Sequence, residues 1–196
     1  MEGVRPARRT DRAAVIDTVS AAFARDPAWS FLLGEEYDRL APDFAGALFD
    51  SRVESGVVWV TSDVTAVSMW DRLGGDEGPA AELESLWRAY RATAGVEVWT
   101  RLRAYEEAVD AARPLTPYWY LGVLATRPDR QGAGLATSVI APVLDRADGD
   151  GLDCCLETST VPNREFYGRR GFTDVTDVHI VSGPPTWWLC RAPRPR

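Results

Sequence analysis

Length, composition and charge limit what this chain can be. With 196 residues, of which 45% are hydrophobic, it can bury one α/β core, which predicts a single domain over residues 1–196. No uncharged apolar run reaches about 18 residues, and the first residues lack the apolar stretch of a secretion signal, so we expect no membrane partner and a cytoplasmic location. The net charge of −7 disfavours nucleic acid as a partner and favours a cationic small molecule.

The cysteines and the histidine exclude several kinds of site. Cys154 and Cys155 lie in the apolar run 152–156, which is typical of a buried strand, and Cys190 makes their number odd. We expect all three to be reduced thiols in the core. His179 is the only histidine, so the chain has no cysteine and histidine set with the spacing of a zinc site, and we expect no metal.

The first part of the chain predicts two helices and two strands. Apolar residues recur at helical spacing over residues 10–24, and Pro27 would end this helix. A second helix is predicted over residues 38–54. Runs rich in valine, threonine and tryptophan at 57–61 and 65–70 predict two strands joined by a turn.

The rest of the chain changes in character after a long helical stretch. A loop rich in glycine and aspartate is predicted over residues 71–79, followed by mostly helical residues 80–112 with a break at Gly95. Beyond these, strands and helices alternate: a strand over 118–126, a helix over 134–147, a strand over 152–158, a short helix over 162–170, and strands over 172–181 and 186–191.

The most informative segment leaves the strand 118–126 and opens the next helix. Gly132, Ala133 and Gly134 at this turn have almost no side chain, so a ligand can approach the backbone closely. The first amides of a helix lack intrahelical partners and lie at the positive end of its dipole, which predicts an anion site suited to a pyrophosphate. The same residues also fit an ordinary strand-to-helix connection. A lysine-dependent phosphate loop is excluded, because the chain contains no lysine.

Two ordered motifs carry a resemblance to a known family. Residues 131–136, with the sequence Gln-Gly-Ala-Gly-Leu-Ala, are similar to the pyrophosphate-binding pattern Gln/Arg-x-x-Gly-x-Gly/Ala of the GNAT acetyltransferases. About thirty residues later, the segment 163–172 resembles the second signature of that family, Asn…Phe-Tyr…Gly-Phe. Gln131 and Asn163 are the only glutamine and asparagine in the chain, and each falls inside one of these motifs.

The resemblance implies a fold, an activity and an acyl donor. GNAT proteins have an α/β (α+β) fold with a mixed central sheet of about seven strands flanked by helices, in which the fourth strand splays from the fifth. They are N-acetyltransferases with acetyl-CoA as the acyl donor. Further similarity over about residues 19–193, weakest over 71–115, is to the puromycin N-acetyltransferases. It implies a small-molecule primary amine as the acceptor, with an aminonucleoside antibiotic such as puromycin, and hence antibiotic resistance, among the candidates.

The resemblance also assigns the acetyl-CoA site residue by residue. The backbone of Leu124, Ala125 and Thr126 would pair with the pantetheine of the donor. The other cofactor-binding residues come from the loop, the start of its helix and the second signature, and they are Gln131, Gly132, Ala133, Gly134, Leu135, Ala136, Thr137 and Asn163. Asn163 also suits the simpler role of a helix cap.

Two side chains are candidates for proton transfer. Tyr167, the tyrosine of the second signature, would be the general acid that protonates the leaving thiolate, since a phenol with a pKa of about 10 stays protonated at neutral pH. Its alternative role is to anchor a helix in the core. Glu157, at the end of the strand 152–158, would be the base for the amine, or else a carboxylate that caps the following turn. His179 is predicted to be a half-buried structural residue rather than the base.

The acceptor pocket is assigned from charge and aromatic content. Asp26 would attract a cationic amine, and Trp29, Phe31 and Trp70 would form walls suited to an amphipathic aromatic amine. Two other functions stay open: acetylation of a protein or peptide N-terminus, and a non-catalytic module that only binds acetyl-CoA. The chain would act as a monomer or a homodimer.

Overall fold

A mixed β-sheet organises the chain. The computed structural model describes residues 3–74 and 81–194, with the backbone alone for residues 81–87. Seven strands of the described residues form one sheet in the order β1-β2-β3-β4-β5-β7-β6, and every neighbouring pair is antiparallel except the parallel pair β4 and β5. The strands are β1 (Val4–Pro6), β2 (Val58–Thr61), β3 (Ala66–Leu73), β4 (Tyr118–Thr126), β5 (Asp153–Thr158), β6 (Thr173–Val178) and β7 (Thr186–Arg191). The predicted mixed sheet of about seven strands is confirmed.

Helices cover both faces of this sheet. Those of the described residues are α1 (Arg12–Phe23), α2 (Pro27–Leu33), α3 (Tyr37–Asp50), α4 (Ala81–Asp110), α5 (Leu135–Asp150) and α6 (Val161–Gly168). On one face, Val15 of α1 and Leu40 of α3 are fully buried in a core shared with β2, β3 and β4. On the other face, Ile140 of α5 packs with Trp119 of β4. The central strands are therefore buried on both sides, as expected of a three-layer fold.

The region around Pro27 differs from the sequence prediction. The first helix ends at Phe23, and Pro27 begins α2, a helix that the sequence did not predict. The carboxylate of Asp26 accepts hydrogen bonds from the amides of Ala28 (2.9 Å) and Trp29 (3.0 Å), which caps the new helix. Proline is well suited to the first helical position, since its missing amide hydrogen would have no partner there.

The predicted loop and long helix in the middle of the chain are confirmed in part. Strand β3 continues through Leu73, so the loop starts later than residue 71, and the remainder of the predicted loop, residues 75–79, lies outside the described residues. The break predicted at Gly95 is present, because this residue has φ of 82° and ψ of 169° inside α4. Glycine adopts this conformation readily, whereas other residues do not.

Strands β4 and β5 part from each other after a short paired stretch, as predicted. Tyr118 to Tyr120 pair with Asp153 to Cys155, and the described ladder between these strands goes no further. On its other side, β4 pairs with β3. Met69 pairs with Val123 and Trp70 with Leu121, so Gly122 is the extra residue of a bulge in β4. Bulges bend a strand and increase its twist, which turns the second half of β4 away from β5.

The cysteines differ from the prediction of three reduced thiols. Cys155 and Cys190 lie directly opposite each other on the antiparallel strands β5 and β7, and a disulfide joins them. Cys154, which precedes Cys155 on β5, is a free, buried thiol. Sequence spacing gave no sign of this pair, because the register that brings the two residues together is set by the sheet.

Two features are not found in the described part of the chain. None of its helices is long and apolar enough to cross a membrane. Its histidine, cysteine and acidic side chains do not form any group of three or more that could hold a metal ion.

Candidate active site

Two cavities meet at the gap between β4 and β5. We call the first the loop groove, since it is lined by the segment 130–137 and by α6. We call the second the inner cavity, since it lies among α2, α4, β4 and β5. Leu124, Asn163 and Tyr167 line both. A ligand in one cavity would therefore touch the ligand in the other at these three residues.

The loop groove is shaped by glycines with left-handed backbone conformations. Gly132 and Gly134 have φ of 82° and 81°, and Gly134 is the residue that caps the N-terminus of α5. A Cβ atom at either position would meet no atom within 4 Å, so the space beside the backbone is open. The first amides of α5 have no partner within the helix and can donate to an anion held there.

Most of the predicted donor-site residues lie along this groove. Those that line it are Leu124, Thr126, Gln131, Gly132, Gly134, Leu135, Ala136, Thr137 and Asn163. Ala125 does not, because alternate residues of a strand face opposite sides and its methyl group is buried in the core beside α1. Only its backbone can contribute. Ala133 is exposed on the loop and is not part of the groove wall.

Three arginines of the groove were missed by the sequence analysis. Arg130, Arg169 and Arg170 all line it, which concentrates positive charge in a chain whose net charge is −7. Arg170 is held in place by hydrogen bonds to the carbonyl of Phe166 (2.7 Å) and to the hydroxyl of Thr137 (3.1 Å). The consecutive arginines after Tyr167 were the available signal, since phosphate groups attract guanidinium pairs.

These residues fit acetyl-CoA. The open backbone at Gly132 and Gly134, the free amides of α5 and the arginines suit a pyrophosphate. The edge of β4 that faces the gap offers amide and carbonyl groups to a chain of amides such as pantetheine. The groove then leads to Tyr167, where the reactive end of the donor would lie.

Tyr167 occupies the junction between the cavities. It is 7% exposed, and its ring contacts those of Phe166 (5.2 Å between centroids) and Phe172 (5.6 Å). Burial and the nearby carboxylate of Glu157 raise the pKa of its hydroxyl, so the hydroxyl stays protonated and can donate. Both of its predicted roles are compatible with this position, because the residue is packed in the core and also lines both cavities.

Asn163 is free for a ligand because another residue caps its helix. The hydroxyl of Thr160 accepts a hydrogen bond from the amide of Asn163 (3.3 Å), which is the cap of α6. The alternative role of Asn163 as the cap is therefore wrong. Its side chain is at the surface of the two cavities.

Glu157 faces the inner cavity and is fixed by a tyrosine. The hydroxyl of Tyr120 donates to both oxygens of its carboxylate, at 2.8 Å each. Burial raises the pKa of Glu157, although the hydrogen bond from Tyr120 and the charge of Arg113 act in the opposite direction. The carboxylate therefore holds a proton more readily than an exposed glutamate does, which suits a base. Its hydrogen-bond partner, Tyr120, lies across the gap on β4. The alternative prediction placed the partner of Glu157 in the turn that follows β5.

Two of the four predicted acceptor residues lie at the inner cavity and two do not. Asp26 and Trp29 line it, and the indole of Trp29 stacks on Phe23 at 4.6 Å. Trp70 was wrongly placed: it is fully buried on the α5 side of the sheet, because it follows Met69, which faces the other core. Phe31 was also wrongly placed, since it packs between two clusters of the core away from the cavity lining.

Several residues of the inner cavity were not foreseen. They are Arg52, Tyr105, Glu106, Arg113 and Tyr120. The guanidinium of Arg52 donates a hydrogen bond to the carboxylate of Asp71 at 2.6 Å. Tyr105 lies on α4. Arg52 follows α3, whereas the other four lie between residues 105 and 120, on α4, on β4 and between them. No local motif marks these positions. His179, in contrast, is exposed and does not line the cavity.

Comparisons with known proteins agree with this geometry. The sequence profile described as the Acetyltransferase (GNAT) family matches residues 92–172. A curated relative, an uncharacterized N-acetyltransferase of Schizosaccharomyces pombe, is 23% identical over 179 residues, which is 84% of this chain and 71% of the relative.

Two solved structures share the fold over nearly their whole length. One is described as histone acetyltransferase HPA2 and related acetyltransferase from Corynebacterium glutamicum; it is 23% identical, with a TM-score of 0.66 over 98% of this chain and 97% of that one. The other is a polyamine N-acetyltransferase of Drosophila melanogaster that forms N-acetylagmatine; it is 14% identical, with a TM-score of 0.67 over 97% of this chain and 99% of that one.

The parted parallel strands, the glycine loop at the start of α5 and these matches together define the fold, which is that of the GNAT acetyltransferases. The segment that matches the Acetyltransferase (GNAT) family, residues 92–172, contains this loop and Tyr167. Enzymes of this family use acetyl-CoA as the acyl donor, and this chain is accordingly an acetyl-CoA-dependent N-acetyltransferase.

Gly134→Ala should weaken the binding of CoA without unfolding the protein. The methyl group would enter the space that the pyrophosphate needs, and we expect the Kd to rise about tenfold or more, equivalent to about 1.4 kcal/mol. Calorimetric titration with CoA measures this change.

Gly151→Ala is the matched control for this variant. Gly151 ends the same helix with φ of 68°, and a Cβ there also meets nothing within 4 Å, so both variants carry similar backbone strain. Equal Kd values for the two variants would show that the loop does not hold the pyrophosphate.

Tyr167→Phe should lower kcat by roughly 10²-fold, the usual effect of losing a positioned acid, while the Kd of CoA stays nearly constant. Tyr118→Phe is the control, because the Tyr118 hydroxyl is buried outside both cavities and has no hydrogen-bond partner among the described residues. If the two variants retain the same kcat with saturating amine, Tyr167 is a structural residue.

Proposed function

We propose that this enzyme acetylates the primary amine of a small molecule with an aromatic or other flat apolar body. The observation that carries the proposal is the inner cavity, which Phe23, Trp29 and Tyr105 line together with Glu157 and Tyr167. Aromatic faces attract both flat apolar groups and cations. An amine held at Glu157 would then lie beside the end of the loop groove.

The size of the inner cavity supports a small acceptor. Its volume is about 190 Å³. A cavity of roughly 150 Å³ is enough for one benzene ring, so this one suits a ring with a short amine arm. A peptide N-terminus would need an extended groove. The polyamine acetyltransferase of similar fold forms N-acetylagmatine, which supports a small cationic amine as the acceptor.

Puromycin is the more specific candidate that the sequence resemblance suggests. An aminonucleoside exceeds the volume of the inner cavity, so only the part that bears the amine would enter it. The nucleoside would remain outside and would add contacts at the mouth of the cavity. A role in antibiotic resistance depends on this substrate and forms part of the proposal.

The residues at the junction can divide the chemistry between them. The thioester of acetyl-CoA supplies an activated acetyl group, so the protein has to place the amine and move two protons. Glu157, ionised and fixed by Tyr120, takes the proton of the bound ammonium. Tyr167 donates its proton to the departing thiolate and regains one from the attacking nitrogen, which loses its second proton as the amide forms. The buried phenol of Tyr120 stays protonated, because burial and Glu157 raise its pKa well above the ordinary value.

A panel of acceptors tests this function. The release of CoA thiol would be followed with an arylalkylamine, puromycin, agmatine, an aminoglycoside and a peptide N-terminus. We expect kcat/KM to be highest for the arylalkylamine or puromycin, because the aminoglycoside brings several charges and the peptide a long chain. A clear preference for the aminoglycoside or the peptide would overturn the proposed acceptor class.

The pH profile of kcat/KM should differ in shape between the wild type and Glu157→Gln. In the wild type, Glu157 deprotonates the bound ammonium. Between the pKa of Glu157, which burial raises, and the pKa of the amine, kcat/KM should not change with pH. Below the pKa of Glu157, kcat/KM should fall, because the carboxylate becomes protonated. In the variant only amine that is already neutral reacts, so log kcat/KM should rise with pH with a slope of about one.

Glu106→Gln is the control for this profile, because Glu106 is a carboxylate of the same cavity but lies exposed. In Glu157→Gln the side-chain carbonyl can still accept the hydrogen bond from Tyr120. The comparison therefore tests only the ability of residue 157 to take up a proton. Profiles of the same shape for the wild type and Glu157→Gln would remove Glu157 from the role of base.

A further inference from the structure

The turn between β2 and β3 contains an unusual backbone conformation. Val64 has φ of 57°, in the left-handed region that a β-branched residue rarely enters. Two hydrogen bonds hold it there: the amide of Val64 donates to the carbonyl of Thr61 (2.9 Å), and the buried hydroxyl of Thr18 on α1 donates to the carbonyl of Val64 (2.6 Å). A costly conformation that is fixed in this way indicates that the turn has a function.

Asp63, the residue before Val64, is fixed by its neighbours in the turn. One oxygen of its carboxylate, Oδ1, accepts hydrogen bonds from the hydroxyls of Thr61 (2.9 Å) and Thr65 (2.8 Å) and from the amide of Thr65 (3.2 Å). Burial raises the pKa of Asp63, but the hydrogen bonds from Thr65 and Thr61 and the charge of Arg130 outweigh burial and lower this pKa below its ordinary value. The carboxylate is therefore ionised at neutral pH and has one orientation.

The other oxygen of this carboxylate, Oδ2, holds an arginine of the loop groove. It accepts a hydrogen bond from the guanidinium of Arg130 at 3.1 Å, and Arg130 lines the groove. The backbone brings the turn to this place, because the amide of Arg127 donates to the carbonyl of Thr65 (2.9 Å) and Ala66 packs with Leu135 at the start of α5. The turn therefore lies beside the glycine loop.

We infer that Asp63 is a positioning residue for the acyl donor, which holds the guanidinium of Arg130 in the place where it binds a phosphate group of acetyl-CoA. An arginine that is already oriented loses less side-chain freedom when it binds an anion, so the complex is more stable. A guanidinium presents five N–H groups, and a bond to Asp63 is compatible with a second bond to a phosphate oxygen. The inference concerns the donor half of the site and does not depend on the proposed acceptor.

Asp63→Asn tests the inference by the direction of its effect. In this variant the side-chain carbonyl can still accept the bonds from Thr61 and Thr65, but the side-chain NH₂ group cannot accept one from Arg130. Loss of the orientation of Arg130 should raise the Kd of CoA about three- to tenfold in a calorimetric titration. Electrostatics alone would lower the Kd, because a negative charge near the phosphates is removed. A Kd that is unchanged or lower in Asp63→Asn overturns the inference.

Asp129→Asn is the matched control for this variant. Asp129 precedes Arg130, forms a long ion pair with Arg127 (3.4 Å) and is not among the residues that line the groove. Its replacement removes the same charge and leaves the bond between Asp63 and Arg130 in place, so the Kd of CoA should stay at the wild-type value or fall slightly. An increase equal to that of Asp63→Asn would show that the lost charge alone accounts for the effect, which would overturn the inference.

Arg130→Met shows whether Asp63 acts through Arg130. This variant should itself raise the Kd of CoA, and the addition of Asp63→Asn should raise it no further, because no guanidinium is left to position. An unchanged Kd in Arg130→Met, or an equal effect of Asp63→Asn in both backgrounds, contradicts the inference.

The same titrations with dephospho-CoA identify the phosphate. If the effect of Asp63→Asn is lost with this ligand, Arg130 binds the 3′-phosphate of CoA. If the effect persists, Arg130 binds the diphosphate, and in both cases Asp63 keeps its positioning role.

Discussion

The parting of β4 from β5 is the constraint on which the rest of this structure depends. Parallel strands normally continue to pair, yet here the ladder stops at Tyr120 and Cys155. The bulge at Gly122 bends β4, which remains paired with β3 along its length. The edge of β4 that is left free forms one wall of the gap. The loop that follows β4 and the carboxylate near the end of β5 then face each other, so that one bend in one strand creates both halves of the site.

Charge is distributed differently between these halves. The loop groove gathers Arg130, Arg169 and Arg170, although the chain as a whole is acidic. The inner cavity contains both signs, since Asp26 and Glu157 line it together with Arg52 and Arg113. The positive field on the groove side of Tyr167 favours an anionic donor there. The net charge of the chain alone does not indicate this preference.

Local patterns in the sequence predict most of the donor half of the site and only part of the acceptor half. The glycine loop and the second signature are continuous segments, so the sequence alone indicates Gln131, Gly134 and Asn163. Tyr120 of β4 and Glu157 of β5, whose side chains are hydrogen-bonded, are 37 residues apart and meet only in the folded chain. Trp70 shows the limit most clearly, since its face of β3 depends on strand alternation relative to Met69. Strand β1 was not predicted, because it is three residues long and takes its stability from pairing with β2.

The central claim is that donor and acceptor occupy adjoining cavities and meet at Tyr167. A conjugate in which CoA is joined through an acetyl spacer to phenethylamine would fill both cavities at once. Because the second part binds as an intramolecular event, the account predicts a Kd for the conjugate that is at least roughly 10²-fold lower than that of CoA. Calorimetry or competition against CoA measures the two values side by side. A conjugate that binds no more tightly than CoA would show that the inner cavity does not receive the amine.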